Sequence, residues 1–203
     1  MRPLSLALAL ALFTAGCDSA DGDLFGEFTA DVTVDGRAER NALNDPDDDD
    51  DDDDVRGEAV YTVVQTEHGP EFVLGLFVGD LFDSQYDEYQ FITFRLKGGV
   101  PGVGAYAVQE DPERRAAAAT YARVLEADEP LDANGPVLTG NDGVLVITEV
   151  DPFSIAGTFR FDAEGVDVER PGDAVFGEAS GQFEAVYERP SLVLGRGLSL
   201  QGR

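Results

Sequence analysis

From residue 143 to residue 161 the chain reads Gly-Val-Leu-Val-Ile-Thr-Glu-Val-Asp-Pro-Phe-Ser-Ile-Ala-Gly-Thr-Phe-Arg-Phe. An apolar, β-branched run ends at Val150, Asp151-Pro152 interrupts it, and Ile155, Gly157, Phe159 and Phe161 then alternate with Ser154, Ala156, Thr158 and Arg160. A period of two on either side of a proline turn predicts a β-hairpin with one face in the core and one in water. Residues 176–187 repeat the alternation, with Phe183, Ala185 and Tyr187 set against Gln182, Glu184 and Val186. Three antiparallel strands are therefore expected in succession.

The same pattern runs through the first half. Phe28, Ala30, Val32 and Val34 alternate with Thr29, Asp31, Thr33 and Asp35. Asp35-Gly36 is a hairpin turn signal, and the return strand over 37–43 is short and polar, as suits an edge. Residues 58–66 and 72–79 predict a second hairpin around His68-Gly69-Pro70, with Phe72, Leu74, Leu76 and Val78 on one face. Residues 89–97 are a further strand; residues 98–104, with four glycines and one proline, are a loop.

Residues 111–126 carry two signals. Asp111 as a cap, Pro112 in the first helical position and four consecutive alanines predict a short helix near 112–119. The alternation that follows predicts a strand from about Thr120. Residues 132–143, with Asn134-Gly135 and Asp142-Gly143, and residues 164–175 read as loops, and 191–203 as a tail. The fold class expected is all-β: one antiparallel β-sandwich-like domain over 25–190, or a partly open barrel, of about 8–10 strands.

Composition narrows the partners. The 203 residues carry 41 acidic against 14 basic side chains, a formal charge of −27. Nucleic acid and anionic headgroups would be repelled, and cations would gather loosely around the surface. Eight of the acids are the aspartates at 47–54. Like charges without apolar neighbours offset no ordering entropy, and a homopolymer supplies charge without the turns that aim calcium ligands, so 44–56 is expected to be a disordered loop. The nearest thing to an EF-hand, starting at Pro130, has proline in its first ligand position and Asn141 in its twelfth.

Chemistry-bearing residues are few. With one cysteine, Cys17, no intrachain disulfide and no four-thiolate centre can form. The one histidine, His68, falls in a predicted turn and reads as an exposed turn residue. No metal site, cofactor motif or catalytic residue is assigned. Two carboxylates suffice for a glycosidase, but among 41 acids no motif singles out a pair.

The N-terminus is a targeting segment. Arg2 precedes an apolar stretch of 12 residues over 4–15, too short to span a bilayer as a helix, which needs about 20. Thr14-Ala15-Gly16-Cys17 then resembles the lipobox of bacterial lipoproteins, departing from it at Thr14, where leucine is usual. The resemblance implies a signal peptide over 1–16, lipid attachment at Cys17 and anchoring of the mature chain in a membrane. Residues 17–24 form an acidic tether, similar to the surface-export stretch of some Bacteroidota lipoproteins.

With this signal, the opening strand over 28–36 and the strands at 143–148, 155–159 and 181–187, the chain looks like the small all-β Bacteroidota lipoproteins of unknown function. The resemblance covers about residues 25–187 and carries over no catalytic residue. It implies a protein of the bacterial cell envelope, lipid-anchored, periplasmic or facing outward from the outer membrane. The role expected is that of a binding or structural module; a carboxylate-based hydrolase such as a glycosidase is the alternative.

Overall fold

The computed structural model describes residues 26–39, 55–78, 89–110, 116–124, 135–167 and 173–188. Cys17, the tether, the aspartates at 47–54 and the tail at 191–203 lie outside them. Ten strands follow one another: β1 (Gly26–Val34), β2 (Arg37–Ala38), β3 (Val55–Thr66), β4 (Gly69–Val78), β5 (Tyr89–Lys97), β6 (Gly104–Val108), β7 (Ala116–Val124), β8 (Pro136–Val150), β9 (Ser154–Asp167) and β10 (Ala174–Tyr187). Among the described residues there is no helix.

The architecture is all-β, in one mixed sheet that is predominantly antiparallel. β1 pairs with β3 on one side and with β10 on the other, so the run β10-β9-β8-β7-β5-β4-β3-β1 returns to its own start. Eight strands close into a barrel, the way a sheet removes its two open edges. β6 lies beside β8 and β7, and β2 extends β1. Beyond the first residue of β1, the end of β10 pairs directly with β3, Val186 with Val60 and Tyr187 with Tyr61.

The alternation read from the sequence is the inside–outside division of this barrel. Phe28, Ala30, Val32 and Val34 face inward, as do Phe72, Leu74, Leu76 and Val78, and Ile155, Phe159 and Phe161. The Phe94 ring on β5 meets Phe159 and Phe161 of β9 with centroids 5.3 and 5.6 Å apart, so side chains from distant strands fill the lumen. Small residues make room for these rings. A Cβ on Gly157 would come within 2.8 Å of the Phe183 ring, and one on Gly181 within 2.9 Å of the Phe159 ring.

Outward positions on β1, β9 and β10 carry Glu27, Asp31, Arg160, Asp162, Glu178 and Glu184, all exposed. An apolar inside and a charged outside invert the pattern of a membrane-spanning barrel. β4 departs from the simple alternation, because Val73 and Phe77 are buried on its outer face as well. Phe77 and Val60 form a second, small cluster there, with Phe91 and Val186 packed against it.

Four expectations need correction. The short helix near 112–119 is not formed over its second half: Ala116–Ala119 open strand β7, and 112–115 lie outside the described residues. Ala117 and Ala119 face inward opposite Leu96 and Phe94, where a small side chain is what large cross-strand partners leave room for, so packing overrides helix propensity. Of the loop expected over 44–56, residues 55 and 56 are strand instead, with Val55 buried at the start of β3, and 44–54 lie outside the described residues. Asp142-Gly143 is no turn but part of β8, where the register with β9 shifts by one residue between Gly140 and Asp142. Of the loop expected over 164–175, residues 164–167 belong to β9 and 174–175 to β10, and 168–172 lie outside the described residues.

Candidate functional site

A concavity on the described surface lies outside the barrel, across β1, β10, β9 and the end of β8. It is a shallow depression of about 700 Å³, walled by Glu27, Thr29, Thr148, Thr158, Gln182 and Glu184. The register explains the lining. Thr29 stands opposite Gln182, Gln182 opposite Thr158, and Glu184 opposite both Glu27 and Ala156. These are the polar halves of the alternation, and the short side chain of Ala156 leaves the floor low between them. A smaller hollow continues along the same strands past Asp31 and Ser180.

Glu27 also faces Glu58 of β3, so three glutamates occupy one cross-strand row. They do not converge: among the described residues no group of three or more His, Cys, Asp or Glu could hold a metal ion. Glu27 and Glu184 are both exposed, unlike the desolvated acid of glycoside hydrolysis. What the depression offers is a row of hydroxyl, amide and carboxylate groups that can accept and donate hydrogen bonds to a polar ligand lying along the sheet.

A second polar constellation closes one end of the barrel. Glu39 follows β2 and is tied by its N–H to the Val32 carbonyl at 2.8 Å. Its Oε2 accepts a bond from Arg123 Nη1 at 2.7 Å and from the Tyr121 hydroxyl at 3.3 Å. Burial, with the Glu39 carboxylate beside it, raises the Tyr121 phenol far above its ordinary value of 10.0. Neither Glu39 nor Arg123 carries a signal in the sequence, because residues 82 and 84 positions apart along the chain meet only once the barrel has closed.

The Tyr121 environment predicts the alkaline limit of stability. A phenol that holds its proton more tightly folded than unfolded contributes fully below pH 10. Above that pH the unfolded chain releases the proton and the folded one does not, so stability falls by up to about 1.4 kcal/mol per pH unit. Urea midpoints of Tyr121→Phe and parent, followed from pH 8 to pH 11, should show the variant losing less over the last unit. Parallel curves would show that Tyr121 ionises alike in both states.

Of the residues singled out in the sequence, Cys17 lies outside the described residues. His68 sits in the exposed β3–β4 turn, where its N–H donates to Thr66 Oγ1 at 3.2 Å. His68 is not among the residues lining the depression, whose walls come from β1, β8, β9 and β10. Comparison with protein-family models, with curated proteins and with solved structures found no match.

Proposed function

We propose that this chain is a lipoprotein of the bacterial cell envelope, held to the membrane through a lipid on Cys17, whose barrel serves as a binding or structural module. The observation that carries the reading is the division of the barrel. Its interior is packed with Phe94, Phe159, Phe161 and their neighbours, so the surfaces it presents to another molecule are outside, and the hollow lined by Thr29, Thr158 and Gln182 is one such concave surface. An N-terminal lipid suits such a module, since tethering raises the effective concentration of any envelope partner.

One capture experiment with three chains tests both halves. The parent, Cys17→Ser and Thr158→Arg are expressed in a bacterial host, crosslinked in the intact envelope and recovered from the membrane fraction. Cys17→Ser should leave the membrane or accumulate as an uncleaved precursor; an unchanged location and mature mass would refute the anchor. Thr158→Arg places a long cation in the depression and should abolish the crosslinked partner that the parent captures, while its own anchoring is unchanged. A partner held equally by both chains would remove the depression from the proposal.

A further inference from the structure

We infer that the rim of the barrel carrying the β8–β9 turn and the β5–β6 loop rests on a zwitterionic lipid surface. The strand directions bring to this one rim the start of β1, the end of β10, the β3–β4 turn, the loop between β5 and β6, and the β8–β9 turn. Seven large apolar side chains are exposed on the described surface, and five of them, Val100, Val103, Val150, Phe153 and Tyr187, belong to this rim. Phe153, at the turn itself, is 77% exposed, and Val103 is 67% exposed.

These tips are held in place. The Tyr106 hydroxyl donates to the Gly102 carbonyl at 2.7 Å, and the Gly98 N–H donates to the Pro70 carbonyl at 2.8 Å, fixing the β5–β6 loop at both ends. The Phe153 carbonyl accepts the Tyr187 N–H, and the Asp151 N–H donates to Ser154, each at 2.8 Å. In a chain that is 27% charged, residues 98–109 contain no charged side chain at all. An ordered, uncharged β5–β6 loop that presents valine, beside a turn that presents phenylalanine next to Asp151, suits contact at the level of lipid headgroups.

The position of the N-terminus chooses the occupant. Gly26, the first residue of β1, lies on this rim, nine residues after Cys17. Nine residues reach at most about 30 Å. The opposite rim lies farther off: from Ala185, beside Gly26, β10 runs back to Ala174, about 36 Å along a strand that tilts across the barrel. A lipid on Cys17 therefore joins the barrel on the apolar rim and holds that rim nearest the bilayer; to that extent the inference rests on the proposed anchor. Glu149 and Asp151 flank the turn, so anionic headgroups would be repelled and zwitterionic ones accepted.

The chain has no tryptophan, which makes an introduced one a unique reporter. Full-length Phe153→Trp, and Val166→Trp on the opposite rim, are purified from the membrane fraction. Each is reconstituted into phosphatidylethanolamine–phosphatidylcholine vesicles with brominated acyl chains, with and without phosphatidylglycerol. Phe153→Trp should shift to shorter wavelength and lose most of its emission to bromine, less so with phosphatidylglycerol, while Val166→Trp should be unaffected.

Equal quenching of both reporters, or of neither, would overturn the inference. So would a Phe153→Trp signal already shielded in vesicle-free buffer, which would mean that a second copy covers the rim. The mass of the mature N-terminus, read on the same samples, separates the two claims. A lipid on Cys17 without quenching refutes the rim contact and spares the anchor; quenching without a lipid refutes the anchor and spares the rim contact.

Discussion

Phe159→Ala is expected to remove about 3–5 kcal/mol of stability, the range for emptying a buried phenylalanine site. Phe159 is 3% exposed, and its ring centroid is 5.3 Å from that of Phe94 and 6.2 Å from that of Phe161. Gly181 opposes it across the β9–β10 pair and has no side chain with which to fill the space. The vacated volume therefore stays open, which sets the cost toward the upper part of the range. Because a domain is held together by about 5–15 kcal/mol in all, the variant should keep only a narrow margin of folded protein.

The control for this is Phe176→Ala on the neighbouring strand. Phe176 is 58% exposed on the outer face of β10, and its removal should change stability by no more than about 0.5 kcal/mol. Urea unfolding at matched slope measures both. Equal midpoints for the two variants would mean that inside and outside have been interchanged.

The second large effect belongs to Gly143, at the irregular point of β8. Its φ is +147°, a conformation that costs a residue with a side chain about 1–3 kcal/mol. A Cβ there would also lie 2.2 Å from the Arg160 carbonyl oxygen and 2.5 Å from Phe161 Cα. Both contacts are with the backbone of β9, which cannot rotate away. Overpacking adds about 1–3 kcal/mol more, so Gly143→Ala should cost roughly as much as emptying the core at Phe159.

The contrast is Gly36, with φ +73° and nothing within 4 Å of its would-be Cβ. Gly36→Ala should pay for strain alone and lose the smaller amount. The two unfolding midpoints measured side by side decide it. A Gly143→Ala protein as stable as Gly36→Ala would show that β8 and β9 separate at this point without loss.

Much of the barrel was legible because alternation is a local property. Whichever strands finally flank it, a segment such as Phe28-Thr29-Ala30-Asp31-Val32 can bury only one of its faces at low cost. The inward sets on β1, β4 and β9 therefore follow from residue order alone, as do the turns at Asp35-Gly36, His68-Gly69 and Asp151-Pro152. β4 shows where that reasoning stops. Its outward Val73 and Phe77 gave no sign of burial until Val60, Phe91 and Val186 were brought beside Phe77. The depression was hidden for the same reason, since Thr29, Gln182 and Thr158 are ordinary outward residues until three strands set them in one row.

By itself the sequence determined the all-β class, the core-facing side of most strands and the chemistry of their turns, since these depend on dihedral preference and on the period of apolar residues. Only the tertiary structure decided that β1 pairs with β10 and closes the sheet. It also drew Ala116–Ala119 into a strand, absorbed Asp142-Gly143 into a long β8, and brought Glu39 to Arg123 and Tyr121. Each of these depends on which strand becomes whose neighbour. That choice is made by the summed packing of residues far apart in the chain, against the entropy of closing the loops between them, and no local pattern records it.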